Sequence, residues 1–168
     1  MQISTTRFGN ITIDECRVIQ MKGGGILGFE HLKRYVLLTQ NENTPFLWLQ
    51  SIDDGSIAFV VINPFIVTPE YDLMISDNDT RFLEIESPDD GVLLSIVTIR
   101  SNPFKVTANL RAPLVINQKN RFGKQVILNE SDYPVQYSLA VDSVPTERSL
   151  RERKEKHSDI KNLSTALT

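Results

Sequence analysis

The sequence predicts a mainly all-β fold, a sandwich or small barrel of antiparallel strands with one or two short helices and a charged C-terminal tail. Short segments rich in β-branched and aromatic residues recur about every ten residues, and turn signals separate them. Long amphipathic helical patterns, which βαβ units need between their strands, are missing from this part of the sequence. The 168 residues are enough for one domain with a sizeable core.

The strand segments are bounded by turn clusters such as Asn-Glu-Asn-Thr-Pro and Asp53-Asp54-Gly55. Strands are predicted over residues 2–7, 10–14, 16–21, 34–39, 45–50, 57–62, 92–100, 112–118 and 122–129. Gly9-Asn10 indicates a tight turn between the first two segments, and residues 119–124 indicate a hairpin tip. Ser76 followed by Asp79 is typical of a helix N-cap and predicts a short helix, and residues 29–32 indicate a turn.

The composition changes after residue 141, which divides the chain into a β domain over 1–141 and a charged tail over 142–168. The tail has six basic and five acidic residues, no aromatic residue and few apolar ones. Such a composition is typical of a solvated, disordered segment. The alternative is a helix that orders on a partner or packs on the domain.

Composition also bounds the class of protein. The single cysteine, Cys16, excludes an internal disulfide and a cysteine-rich zinc site. The N-terminus lacks the pattern of a secretory signal, and no apolar run approaches the roughly 20 residues that span a bilayer. These features predict a cytoplasmic protein without a membrane partner. The net charge of −3 argues against direct binding of nucleic acid.

The sequence shows no pattern of catalytic, cofactor-binding or metal-binding residues. His31 follows Glu30 in a predicted turn, and Cys16 occupies a strand pattern, where we expect a half-buried side chain. The run Gly23-Gly24-Gly25-Ile26-Leu27-Gly28 lacks the Gly-Lys-Ser/Thr end of a phosphate-binding loop, so we expect an ordinary loop with positive φ angles. We therefore expect a protein that is not an enzyme and that has no cofactor.

Two neighbouring segments supply the candidates for partner contact. Strand alternation places Phe46, Trp48 and Gln50 on one face of their strand, although packing in a buried strand explains Trp48 slightly better than partner contact does. Asn63 ends the following strand before a proline, where its side chain can bind its own loop backbone. Aromatic residues are the usual anchors of protein interfaces. The candidates are Phe46, Trp48, Gln50, Asp53, Asn63, Pro64 and Phe65.

Acidic residues are concentrated between positions 53 and 90, where ten carboxylates are accompanied by one basic residue, Arg81. This composition is typical of a solvated surface. The alternative is an acidic face that binds a basic partner and repels a nucleic acid that the partner holds.

Several short motifs, in order over residues 1 to about 137, resemble those of the bacterial flagellar assembly factor FliW family. They are Thr6-Arg7-Phe8-Gly9, Gly28-Phe29-Glu30, Pro45-Phe46-Leu47-Trp48-Leu49-Gln50-Ser51, Ala58-Phe59-Val60-Val61-Ile62-Asn63-Pro64, Thr107-Ala108-Asn109-Leu110, Ala112-Pro113-Leu114-Val115-Ile116-Asn117 and Gly123-Lys124-Gln125-Val126-Ile127-Leu128. The chain departs from the family at Leu27, where a proline is usual.

The resemblance implies a compact, β-barrel-like domain without enzyme activity and with two protein partners. One is flagellin, bound in the cytoplasm before export. The other is CsrA, a small basic RNA-binding regulator that represses translation of flagellin mRNA. The family pattern implies that the protein binds CsrA away from its RNA surface, that it antagonises RNA binding allosterically, and that flagellin competes for the same protein.

Two other functions remain open from the residues alone. A small β-barrel nucleic-acid-binding module would need basic residues interleaved with aromatic ones, and residues 119–124, with Phe122, are the candidate stretch. An enzyme would need a deep polar pocket that holds a carboxylate pair.

Overall fold

A computed structural model of the protein describes residues 1–140. The predicted tail over 142–168 lies outside the described residues, so the boundary after residue 141 stays a prediction. Within the described residues, none of the helices combines the length and the apolar character that crossing a membrane requires.

The described part of the chain is built from short strands and two short helices. The strands are β1 (Gln2–Thr5), β2 (Gly9–Thr12), β3 (Ile19–Met21), β4 (Arg34–Leu38), β5 (Phe46–Ser51), β6 (Ala58–Ile62), β7 (Gly91–Ser101), β8 (Phe104–Ala108), β9 (Leu114–Asn117), β10 (Phe122–Gln125) and β11 (Tyr137–Ser138). The helices are α1 (Pro64–Val67) and α2 (Asp77–Phe82), and single 3₁₀ turns span Glu15–Arg17 and Pro88–Asp90.

Seven strands form a closed circuit, in the order β7-β6-β5-β4-β3-β10-β9, and β9 pairs back onto β7. The strand β7 closes the circuit because its 11 residues reach two partners in succession: Gly91 to Leu94 pair with β9, and Val97 to Ser101 pair with β8. The mainly β, barrel-like fold is thus confirmed. The pair β3–β10 is parallel, unlike its antiparallel neighbours, because β10 arrives from the β9 hairpin rather than directly from β3.

The inside of the circuit is filled by one apolar cluster. Its members come from six of the seven strands and from the loop after β3. Side chains from so many strands can meet one another only inside the circuit. They are Ile19, Met21, Ile26, Leu32, Tyr35, Leu49, Val61, Leu94, Leu114 and Ile116. The remaining strand, β10, contributes Gly123, because a Cβ there would lie 2.7 Å from Met21 Sδ and 3.2 Å from Ile19 Cγ2.

A second apolar cluster lies on the outer face of the sheet. Alternation along β9 sends Val115 to this cluster while Leu114 and Ile116 point inward. The loop and helices between β6 and β7 cover it with Tyr71 and Leu83, and the Tyr71 hydroxyl donates to the Leu110 carbonyl at 2.7 Å. The segment 63–90 is therefore held to the outer face of the barrel.

Both short helices begin at capping residues. The Ser76 hydroxyl accepts a hydrogen bond from Asp79 N at 3.1 Å at the start of α2, which confirms the predicted N-cap. The Asn63 side chain binds its own loop as predicted, since Oδ1 accepts from Phe65 N at 3.0 Å. It thereby caps α1, a helix that was not predicted although Asn at the N-cap followed by Pro is a start signal.

Several predicted boundaries are wrong. A strand was predicted over residues 16–21, but a 3₁₀ turn precedes β3 there, because Asp14 Oδ1 accepts a hydrogen bond from Cys16 N and bends the chain. Cys16 was expected to be half-buried and is exposed on this turn. The turn expected at Gly9-Asn10 lies just before these residues, which instead open β2. The strand over 122–129 ends at Gln125. Strands β8 and β11 were not predicted.

The hairpin β1–β2 lies on the turn between β5 and β6. Thr6 N donates to the Gly55 carbonyl at 3.0 Å, and the backbones meet so closely that a Cβ on Gly55 would lie 1.9 Å from the Ser4 carbonyl oxygen. Only glycine fits at this crossing, since the obstacle is backbone and not a flexible side chain.

Replacing Gly55 by alanine should therefore destabilise the fold by about 3 kcal/mol, because the hairpin must move away from the turn. Gly91→Ala is the matched control: its Cβ would meet nothing closer than the Pro88 carbonyl oxygen at 3.7 Å, and its φ of −93° suits alanine. Urea unfolding of the three proteins measures the difference. Equal stabilities of the two variants would contradict the close crossing.

Candidate functional site

Trp48 lies under the N-terminal hairpin rather than in a free surface strand. The Arg7 guanidinium lies 3.9 Å from the centre of the Trp48 ring, and Phe8 meets the ring edge-on at a centroid distance of 6.0 Å. The indole is thus partly buried, and the side chain that lies over its ring is the exposed, positively charged Arg7. Arg7 and Phe8 are not among the contact residues that the sequence predicts, although both belong to the motif Thr6-Arg7-Phe8-Gly9.

Gln50 is fully buried beside Trp48 and fixes the turn on which the hairpin lies. Its Nε2 donates to the carbonyls of Ser51 and Ile57, both at 2.9 Å, and of Gly55 at 3.3 Å. A pocket of about 360 Å³ lies between the hairpin and this turn. It is lined by Thr6, Arg7, Trp48, Gln50, Gly55, Ser56 and Ala58.

Asp53 anchors the turn between β5 and β6 to the start of β4. Its carboxylate accepts from Lys33 N at 2.7 Å, from Arg34 N at 2.8 Å and from Arg34 Nε at 2.7 Å. Partial burial raises the pKa of Asp53, but these hydrogen bonds outweigh it and the pKa is lowered overall. The Asp53 carboxylate is therefore already hydrogen-bonded within the described residues, and its role there is to hold the turn.

The remaining candidates lie at the opposite end of the β5–β6 hairpin. Phe46 pairs with Ile62 and packs against the outer cluster, and Pro64 is buried at the start of α1. Phe65 is 44% exposed and meets Tyr71 edge-on at 5.9 Å. The structure thus brings Trp48 and Gln50 together, and separately Phe46 with Asn63, Pro64 and Phe65.

The glycine-rich loop is an ordinary loop, as expected, with positive φ at Gly23, Gly24, Gly25 and Gly28. Leu27 donates its backbone N–H to Gln125 Oε1 at 2.8 Å. A proline at this position has no N–H and could not make this hydrogen bond from the loop to β10.

A second pocket, of about 340 Å³, lies between the glycine-rich loop, the first turn of α2 and the end of β10. Its wall includes the ion pair of Asp79 with Lys124, and the Lys124 ammonium also lies 5.4 Å from the centre of the Phe82 ring. Burial raises the pKa of Asp79, while hydrogen bonds from Lys124 and Ser76 lower it by more. The loop, helix and β10 are joined at this point.

The ten carboxylates between positions 53 and 90 differ in their partners, and one of them, Asp54, accepts from Ser56 N and Oγ within its own turn. Three are paired with cations from elsewhere in the chain: Asp53 with Arg34, Asp79 with Lys124, and Asp90 with Lys119. Six exposed ones form no ion pair within residues 1–140. These six, called the free acids below, are Glu70, Asp72, Asp77, Glu84, Glu86 and Asp89.

The hairpin tip at 119–124 is less basic than its sequence indicates. Lys119 Nζ lies 2.9 Å from Asp90 Oδ1, and Lys124 binds Asp79. Lys22 lies over the Phe122 ring at 4.2 Å. Two cations that could contact phosphates are therefore neutralised by carboxylates, which weakens the nucleic-acid interpretation.

In the described part of the chain, no three His, Cys, Asp or Glu side chains are placed to hold a metal ion. His31 is exposed, and Cys16 is exposed on its 3₁₀ turn. Hydrogen bonding to Asp14 raises the pKa of the Cys16 thiol, which disfavours the thiolate.

Comparison with known proteins matches residues 2–139 to the family described as FliW protein. The flagellar assembly factor FliW of Syntrophus aciditrophicus (strain SB) is 52% identical over 139 residues, which are 83% of this chain and 87% of that protein. The protein of the same name from Geobacter sulfurreducens is 38% identical over 137 residues, 82% of this chain and 85% of that one. The crystal structure of a flagellar assembly factor FliW matches this chain with a TM-score of 0.76 at 38% identity, and the match covers 82% of this chain and 96% of that chain.

The Asp79–Lys124 pair yields a prediction about acid stability. Because the pKa of folded Asp79 lies below its ordinary value of 3.8, the pair contributes stability at neutral pH that is lost as the pH falls below about 4. Asp79→Asn should lower the free energy of unfolding by about 1–2 kcal/mol at pH 7 and by less near pH 3.

Asp77→Asn is the matched control, since Asp77 lies in the same helical turn and its carboxylate has no ion pair within the described residues. Urea unfolding between pH 3 and pH 7 measures both variants. An Asp79→Asn deficit that is the same at every pH would contradict the ion pair.

Proposed function

This chain belongs to the FliW family of flagellar assembly factors, and we propose that it binds flagellin in the cytoplasm and binds CsrA to antagonise its repression of flagellin mRNA translation. The relatives are named as an assembly factor and not as an enzyme, and we propose a non-enzymatic partner switch for this chain. In this switch flagellin and CsrA compete for the protein, and export of flagellin releases it to bind CsrA.

The observation that supports this function most directly is the set of free acids. None of the free acids has an ion pair within the described residues, whereas Asp53, Asp79 and Asp90 are each paired with a cation. A basic regulator is the complementary partner. Because binding to phosphates is strongly electrostatic, an acidic protein bound beside an RNA site lowers the affinity for RNA without covering that site.

The free acids are also displayed on a rigid support. Segment 63–90 is held through Tyr71, Leu83 and the two capped helices, so its charges are fixed relative to the barrel. Preorganised charges lose little entropy on binding, which suits a partner that must be exchanged for another.

Charge reversal of three free acids should abolish the antagonism. In Glu70→Lys/Asp72→Lys/Glu86→Lys, binding to CsrA should weaken by about a hundredfold, since three exposed contacts change from attraction to repulsion. The measurements are a binding titration and the affinity of CsrA for flagellin mRNA with and without this protein.

Glu42→Lys/Glu130→Lys/Asp132→Lys is the matched control, with the same change of net charge at exposed positions outside segment 63–90. If wild-type protein leaves the RNA affinity of CsrA unchanged, the proposed antagonism is wrong. A gel shift of RNA by this protein alone, without CsrA, would instead favour a nucleic-acid-binding module.

Flagellin binding should depend on the partly exposed aromatic candidates. Phe65→Ser should weaken binding to flagellin by about tenfold through loss of an apolar anchor, while Phe82→Ser, at a similar exposure of 47%, serves as the control. Isothermal titration measures both, and competition is checked by adding flagellin to the CsrA complex. Equal affinities of the two variants would remove Phe65 from the interface.

A further inference from the structure

Arg7 is held in place at the tip of the N-terminal hairpin, as the middle of the three residues that join β1 to β2. The tip is fixed from within, because the Thr5 hydroxyl accepts from Phe8 N at 2.9 Å. It is fixed to the barrel by the bond from Thr6 N to the Gly55 carbonyl at 3.0 Å. The position of Arg7 relative to the turn between β5 and β6 is therefore set by backbone contacts.

The Arg7 guanidinium has no acidic partner within residues 1–140. It lies 3.9 Å from the centre of the Trp48 ring and takes part in none of the ion pairs of the described residues. A guanidinium that lies over an aromatic ring keeps the N–H groups at its edge for other acceptors. Two of these N–H groups match the two oxygens of a carboxylate. Arg7 is thus a preorganised donor for an acidic group.

Beside Arg7 lies the pocket of about 360 Å³ under the hairpin, whose other lining residues are uncharged. Two of these residues have no donor left for a ligand. Gln50 Nε2 donates to backbone carbonyls, and the N and Oγ of Ser56 both donate within their own turn. The pocket therefore has a single charged donor in its lining, and that donor is Arg7.

The surroundings of the pocket favour a ligand with a single negative charge. Asp54 lies in the same turn as Ser56, and hydrogen bonds from Ser56 lower the pKa of Asp54, so this carboxylate is ionised at neutral pH. A phosphate group carries a charge of about −1.5 to −2 at pH 7 and would meet one cation close to one anion. A carboxylate carries one charge, which Arg7 balances. The side chains of Trp48 and Ala58 in the same lining favour an apolar stem next to that carboxylate.

We propose that this pocket binds a glutamate side chain of a partner protein. The glutamate carboxylate accepts hydrogen bonds from the Arg7 guanidinium, and its methylene groups lie against Trp48 and Ala58. Because the hairpin tip is already fixed, little conformational entropy is lost when the carboxylate binds. The site does not depend on the proposed function, because it lies outside segment 63–90 and takes a partner group of the opposite charge.

A second copy of this chain is a poorer source of the glutamate. The chain has a net charge of −3, so two copies repel each other as they approach. The free acids of a copy all belong to segment 63–90 and would reach the pocket together, whereas its lining balances only one negative charge. A partner with an isolated glutamate among uncharged residues fits better.

The single tryptophan of the chain is Trp48, so its fluorescence reports on this pocket. The full chain is titrated with a short capped peptide that lacks tryptophan and tyrosine and whose only charged side chain is a central glutamate. We expect a saturable change of Trp48 emission. The same peptide with glutamine in place of glutamate should bind more weakly by about tenfold or more, because a carboxamide lacks the charge that Arg7 matches.

Arg7→Gln should weaken binding of the glutamate peptide by about tenfold or more, and Arg7→Lys should keep only part of the affinity, since an ammonium lacks the fork of donors. Ala58→Leu should also weaken binding, because the larger side chain fills part of the pocket while Arg7 is kept. Arg100→Gln is the matched control, since it removes the same charge at an exposed position outside the hairpin. The peptide should bind this control as it binds the wild-type protein.

The proposal is overturned if the glutamate peptide causes no saturable change, if the glutamine peptide binds equally well, or if Arg7→Gln and Arg100→Gln bind alike. Binding of inorganic phosphate or of acetate that is as tight as that of the peptide also overturns it, because the pocket then takes a free anion. A Trp48 emission that changes with protein concentration in the absence of peptide overturns it in favour of a second copy. Peptide binding is measured without CsrA and flagellin, so its failure is separate from failure of the proposed function.

Discussion

The placement of every surface described above depends on strand β7, which pairs with three strands. Its first four residues close the barrel against β9, its middle pairs with β6, and its last five residues pair with β8. Strand β7 must be long because β9 and β8 pair with successive stretches of it, one after the other. Within the described residues, closure of the circuit gives each of its seven strands a neighbour on both sides inside the barrel, which limits edge-to-edge association there.

The same strand separates the two clusters. Leu94 points into the barrel, whereas Val97 points to the outer cluster. Because the outer face is apolar, it needs a cover, and segment 63–90 provides it with Tyr71 and Leu83. The free acids of that segment are then left on its solvent side. The acidic surface is therefore a consequence of how the barrel covers its second apolar face, and it is held as firmly as the cluster beneath it.

The strands of the barrel could be predicted from the sequence because both of their faces are covered. Phe46–Ser51 begins with four apolar residues in succession and Ala58–Ile62 is apolar throughout, and such short runs bounded by turn signals leave few alternatives to a strand. Strand β11 has two residues and no such pattern, and its pairing with β8 depends on tertiary contacts. The pairing of Asp79 with Lys124 and of Asp90 with Lys119 was equally hidden, because each joins residues far apart in the chain. The unpaired charge of both the acidic stretch and the basic hairpin tip is therefore smaller than the sequence predicts.

The surroundings of the candidate contact residues also depend on residues far away in the chain, which the sequence does not indicate. Composition and alternation could place Trp48 and Gln50 on one face, but the cover of that face comes from Arg7 and Phe8, about 40 residues earlier in the chain. Gln50 then fixes the turn, and Gly55 lets the hairpin approach it. An exposed cation stacked on an indole presents a rigid, charged contact surface, whereas a bare indole would present an apolar one. A partner that contacts Trp48 therefore meets Arg7 first, and the chemistry it must match at this position is that of a guanidinium.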